Sequence, residues 1–210
     1  MRLTFDRNNF TSLCNILAEK DRDLYSIIQT FGYPPVWTRP ASFETLIHII
    51  LEQQVSLASA KAALSKLKQR LGRITSVKLL TLSDEELKSC YFSAQKMGYA
   101  RCLAQAIVSR QIQLKRLSRY DDREVKRQLK AIKGIGDWTA DVYLLFALRR
   151  TDVFPVGDLA MSNALKDVKG LSKNSAREVM LKVSEPWRPY RSIATMLLWH
   201  HYIQKRGIRV

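Results

Sequence analysis

From Trp138 to Leu148 the chain reads WTADVYLLFAL, apolar on nearly every side of a helix. Such a helix cannot lie on a surface; it must be central, with other elements packed around it. The run stops at Arg149 and Arg150, well short of the about 20 residues that span a bilayer. No membrane helix is expected.

The rest of the chain gives this helix partners of its own kind. Leu13, Leu17, Leu24, Ile27 and Ile28 recur at helical spacing up to the breaker Phe31-Gly32-Tyr33-Pro34-Pro35. Phe43, Leu46, Ile47, Ile50 and Leu51 mark a helix running into Glu52-Gln53-Gln54, and Ala58 to Leu71 makes another, stopped by Gly72. Ser83-Asp84-Glu85-Glu86 has the capping-box form. Tyr99 to Leu114 reads as a basic helix, and Val125, Leu129 and Ile132 give the helix before the central one an inward stripe. Ser162 to Lys169 and Ser175 to Val183 follow, then a last helix with Pro189 in its first turn, ending before Gly207. Strand signals are almost absent, so the fold class is all-α. No repeat or low-complexity linker appears.

Composition bounds the partner. With 210 residues, 46% of them hydrophobic, the chain can bury a core as one domain or two closely packed lobes. Lys+Arg 35 against Asp+Glu 19 gives +16, which favours a polyanion, nucleic acid first. The opening MRLTFDRNNF is charged and mixed, unlike a signal peptide, so an intracellular protein (cytoplasm, nucleoid or nucleus) is expected. Cys14, Cys90 and Cys102 form no C-x-x-C pair, which argues against a disulfide framework, an iron–sulfur cluster or structural zinc. His48, His200 and His201 form no metal-binding pattern.

Chemistry concentrates around the central helix. Gly134-Ile135-Gly136 links it to the preceding helix: two glycines allow positive φ and clear the way for backbone amides to meet a phosphate at a helix N-terminus. Beyond it, Asp158 follows the extended Val153-Phe154-Pro155-Val156-Gly157. A carboxylate there either N-caps the next helix or faces a cleft. Gln53 and Gln54 close an earlier helix, where they could simply face water.

The runs FETLIHIILEQQVSLASA, AIKGIGDWTADVYLLFALRRTDVFPVGDLA and WRPYRSIATMLLW together resemble the helix-hairpin-helix (HhH-GPD) base-excision DNA glycosylases, specifically the 3-methyladenine DNA glycosylase II family. The resemblance covers roughly Ser42 to His201. It implies a two-lobed helical fold with the active site in a cleft: residues 42–155 as the central lobe, with the helix-hairpin-helix at 123–148, and 1–41 plus 156–210 as the second. The N-terminal β domain of some members is expected to be absent, since only about forty residues precede the first motif.

By the same resemblance Asp158 is the catalytic acid, Gln53-Gln54-Val55 the DNA wedge with Gln54 at its tip, and Trp138, Trp199 and Trp37 the base pocket, Trp37 being argued only from its place before Phe43. Trp187 is expected in the core. The amides of Gly134 and Gly136, with the Thr139 side chain and Lys133, would grip DNA backbone. Main-chain carbonyls of Lys130, Ile132 and Ile135 would hold a structural Na⁺ or K⁺, no other cofactor being required. Arg191 matches a family arginine that either forms a structural ion pair or contacts ligand.

The implied activity is flipping of an alkylated purine (3-methyladenine or 7-methylguanine type) from duplex DNA and hydrolysis of its N-glycosidic bond, by a monomer. Trp138 stands where strand-cutting members carry a nucleophilic lysine, so the monofunctional subtype is expected over a bifunctional glycosylase/lyase. The remaining rival is a helix-hairpin-helix module that only binds DNA. Asp137 and Gly157 depart from the family's usual neutral or basic residue and second acid, and Lys133 replaces a common proline. Asp137 would either repel the phosphate or turn away as a cap.

Overall fold

The computed structural model describes residues 3–208; Met1 and Arg2, with which the leader reading begins, lie outside them. The chain order is α1 (Phe10–Lys20), α2 (Arg22–Phe31), α3 (Phe43–Glu52), α4 (Leu57–Leu71), α5 (Ser76–Leu80), α6 (Asp84–Ser89), α7 (Ala94–Val108), α8 (Leu114–Leu117), α9 (Asp122–Lys130), α10 (Asp137–Phe146), α11 (Leu159–Val168), α12 (Arg177–Ser184) and α13 (Arg191–Lys205). Among the described residues no strand forms, only an isolated antiparallel bridge between Thr4 and Arg150. None of these helices is long and apolar enough to cross a membrane.

Side-chain caps explain where most helices begin. Ser42, Ser56, Thr75, Ser93 and Asp121 each accept a backbone N–H of the first turn, and Ser83 forms the full capping box with Glu86. The periodic stretch from Leu13 to Ile28 forms two helices, because Asp21 leaves the helical region (φ −142°, ψ 108°) and its carboxylate accepts the Asp23 and Leu24 N–H groups. Two expectations need correction. The basic helix runs Ala94–Val108, since Ser93 starts it early and Arg110, at φ 61°, turns the chain before Leu114. Pro189 precedes the last helix, whose first residue is Arg191.

The chain divides into two compact units, one spanning Arg39–Ala147, the other taking the chain up to Thr38 and from Leu148 onward. The second boundary falls before residue 155 because Leu148–Thr151 pairs back: Phe5 N–H donates to Arg149 O at 3.0 Å and Thr151 N–H to Leu3 O at 3.2 Å.

In the Arg39–Ala147 unit, α10 is central as its composition demands, burying Thr139 through Leu145 against α3 and α9. Each fully buried leucine here contributes about 1.5–3 kcal/mol relative to exposure. Val125, Leu129 and Ile132 face it as the stripe requires, and Lys126 of α9 pairs with the buried Asp141. The end of α3 is anchored by Arg39, which grips Glu52 through two hydrogen bonds (2.9 and 2.6 Å) while its guanidinium lies 4.9 Å over the Phe146 ring.

In the other unit α13 buries Ser192 through Leu198 against α2, α11 and α1. Trp187 is core, as expected, but not purely apolar core: its Nε1 donates to Asp21 Oδ2 at 2.7 Å, and Lys169 Nζ completes the node with 2.7 Å contacts to Asp21 and Asp23.

Candidate functional site

The turn between α9 and α10 is built by Gly134, whose φ of 93° is a left-handed conformation that glycine alone adopts without strain. A second constraint acts at the same position: a Cβ on Gly134 would stand 2.1 Å from Tyr99 Cγ, inside the ring's own volume. Gly136 is different and corrects the expectation of two permissive glycines. It caps α10 in extended conformation (φ −98°, ψ −173°), and a Cβ there would meet nothing within 4 Å. Its openness leaves the first amides of α10 approachable.

Asp137 opens α10 and neither caps it nor stands as an uncompensated acid: Lys130 Nζ lies 2.6 Å from its Oδ1. Lys133 is exposed beside the turn. The carbonyl of Ile132 accepts the Ile135 N–H at 3.1 Å and keeps a second lone pair. No cluster of His, Cys, Asp and Glu capable of holding a metal occurs among the described residues. Burial pushes the Cys14 thiol up to about 12, an inert packing group.

Two predicted DNA contacts turn inward instead. The Thr139 hydroxyl is buried and accepts a hydrogen bond from Gln53 Nε2 at 2.9 Å, so it is not placed to reach a phosphate from the surface. The same Gln53 Nε2 donates to Gly134 O, also at 2.9 Å. Gln53 is therefore a strut between the end of α3 and the hairpin rather than part of a solvent-facing wedge. Gln54, at φ 57° on the turn after α3, is exposed, as is Val55 beside it.

In the other unit Asp158 takes up the capping role and gains a second partner. It caps α11, Oδ1 accepting the Met161 N–H at 2.8 Å, and the same oxygen accepts the Trp199 indole N–H at 2.9 Å. A tight turn presents it: Asp158 N–H donates to Pro155 O at 2.7 Å and Val156 N–H to Phe154 O at 2.8 Å. Trp199 is half-buried on α13; Trp37 is likewise half-buried, its ring 6.4 Å from that of His200. Arg191 takes the structural role: Nε donates to Asp152 Oδ1 at 2.6 Å, tying α13 to the approach to Asp158 through Asp152, a residue sequence reasoning overlooked.

Asp158 and Trp199 thus share one unit, while Trp138, at the first turn of α10, belongs to the other with Gln53, Gln54 and the hairpin. The Trp199–Asp158 bond, across 41 residues of chain, and the Tyr99 ring over Gly134 had no local signal to announce them.

Residues 47–189 match the HhH-GPD superfamily of base excision DNA repair proteins, and the chain belongs to that superfamily. Within it the chain falls in the 3-methyladenine DNA glycosylase family. It is 32% identical over 161 residues to the DNA-3-methyladenine glycosylase 1 of Schizosaccharomyces pombe, covering 75% of this chain and 71% of that protein. It is 28% identical over 190 residues to the alkylbase DNA glycosidase-like protein mag2 of the same yeast, covering 87% and 89%. Among solved structures, the S. pombe 3-methyladenine DNA glycosylase Mag1 in complex with abasic DNA superimposes with a TM-score of 0.84 at 29% identity, over 90% of this chain and 95% of that one.

Proposed function

We propose that the protein is a monofunctional DNA glycosylase that binds duplex DNA, turns an alkylated purine out of the stack and hydrolyses its N-glycosidic bond, leaving an abasic site. The observation that carries this reading is Asp158: a carboxylate at a helix N-cap, oriented by an indole N–H, in a chain whose family excises alkylated bases. A base inside the duplex is out of reach, so the nucleotide must be extruded and the gap filled, the task assigned to exposed Gln54.

Cleavage of the C1′–N bond sends its electron pair to the leaving base and develops positive charge on the sugar. The Asp158 carboxylate stabilises that oxocarbenium-like state and orients the attacking water. A 3-methyladenine or 7-methylguanine ring is already cationic, so the electron-rich face of Trp199 beside Asp158 attracts it, and it departs as a neutral base. An undamaged purine has neither advantage. Trp138 offers no amine, which supports hydrolysis by water over a Schiff base with the sugar. Backbone grip falls to the amides at Gly134 and Gly136 with Lys133, and the chemistry uses no cofactor. Sodium or potassium held by the carbonyls of Lys130, Ile132 and Ile135 would serve the hairpin's shape only.

The test is release of methylated purine from alkylated duplex DNA, with the product examined for strand breaks and for covalent adducts after borohydride. Base release with an intact strand and no adduct is expected. Release accompanied by a trapped adduct would overturn the monofunctional reading, and no release would overturn the glycosylase reading itself.

A further inference from the structure

We infer that Gln53 is a positioning residue that couples the DNA-gripping hairpin to the turn carrying Gln54, so that backbone binding and extrusion of the base act as one device. The inference deepens the glycosylase reading and rests on it. Gln53 ends α3, and its Nε2 spends both hydrogens on the hairpin: one on Gly134 O, one on Thr139 Oγ1, each at 2.9 Å. The first partner is the glycine whose left-handed turn shapes the hairpin; the second sits buried in the first turn of α10. Gln54, the next residue along, stands at φ 57° with its side chain exposed.

Both sides of the strut are rigid. On one, Glu52 is clamped by Arg39, so the helix end cannot slide to follow a moving side chain. On the other, Tyr99 lies against Gly134 and prevents the turn from relaxing. Loss of the two hydrogen bonds removes the direct link that sets the turn carrying Gln54 in register with the amides of the hairpin. A phosphate grip fixes where the strand lies, and a wedge acts only if it is fixed in the same frame.

The distinguishing experiment compares two substrates carrying the same methylated purine, one opposite its normal partner in duplex and one unpaired in a bulge, under single-turnover conditions. Gln53→Met keeps length and bulk but removes both donors. Excision from the paired duplex should slow about tenfold, as loss of two neutral hydrogen bonds implies, while excision from the bulge, where the base is already unstacked, stays within about twofold of the native rate. Thr139→Val should show a smaller loss of the same kind, not additive with Gln53→Met, and it provides the reading if Gln53→Met does not fold. Equal slowing on both substrates, or none on either, would overturn the coupling while leaving the glycosylase reading intact. A native protein that releases base from neither substrate would overturn that reading and the coupling with it.

Discussion

The indole N–H of Trp199 is bonded to the carboxylate oxygen of Asp158 that also caps α11, at 2.9 and 2.8 Å respectively. One oxygen thereby ties the proposed catalytic acid to two helices at once, α13 through the indole and α11 through the Met161 amide.

Asp158→Asn should abolish base release, by at least about a hundredfold, because the amide cannot balance developing positive charge. Folding should barely change, since asparagine caps helices as well as aspartate. DNA affinity should persist. Retained activity in this variant would mean that the protein binds DNA without acting through this residue. Trp199→Phe keeps an aromatic face but loses the donor; excision should fall about tenfold while the thermal midpoint moves little.

Gly134 and Gly136 should part company when each is replaced by alanine. At Gly134 the positive φ alone costs about 1–3 kcal/mol, and the new methyl group would displace the Tyr99 ring. A fall of at least about 4 °C in the thermal midpoint is expected for a chain of this size. Gly136→Ala should fold as the native chain does and lose only DNA affinity. Indistinguishable melting curves for the two variants would contradict the geometry of the turn.

The pair formed by Lys130 and Asp137 restrains the hairpin's positive charge. Asp137→Asn releases Lys130 toward phosphate, so duplex affinity should rise severalfold at low salt. The plot of log affinity against log salt should steepen by about 0.9 for each additional phosphate neutralised. Fluorescence anisotropy over a salt series reads both.

A pH dependence follows from the Asp21 node. Burial would raise the Asp21 carboxyl, but hydrogen bonds from Lys169, Trp187 and the Leu24 N–H, with the Lys169 charge, outweigh it and hold the group below the usual carboxylate range. Burial would likewise lower Lys169, yet Asp21 and Asp23 keep it above an ordinary lysine. The depressed carboxyl contributes stability above about pH 3.9, its unfolded value, lost as pH falls through the lower folded one; the raised amine contributes below about pH 10.4, lost as pH rises past its folded one. The contribution of this node should be level between these limits. Asp21→Asn should lower the plateau by about 1 kcal/mol or more, since Lys169 then keeps only Asp23 as a charged partner, and should flatten the acid limb.

Much of this architecture was legible because its determinants are local. Period-3.6 apolar spacing exposed α3 and α9, apolar residues on nearly every side exposed α10, and a four-residue pattern exposed the capping box at Ser83. Where periodicity was silent, a polar side chain that satisfies backbone groups set the boundary, at Asp21, which divides α1 from α2, and at Ser93, where a helix began earlier than expected. Family resemblance singled out Asp158, Gln53 and Trp199 by position, but what each side chain touches depends on partners 41 to 86 residues away. Gln53 and Thr139 looked like surface contacts for that reason, since nothing near them in the chain says that they meet.

The Tyr99 ring over Gly134 has an evolutionary reading. Two independent bars, backbone handedness and occupied space, exclude every other residue from position 134, so shrinking Tyr99 lifts one and leaves the other. In a library randomised at both positions, selection for folding would return varied residues at 99 and glycine almost alone at 134, an asymmetry between neighbours that touch.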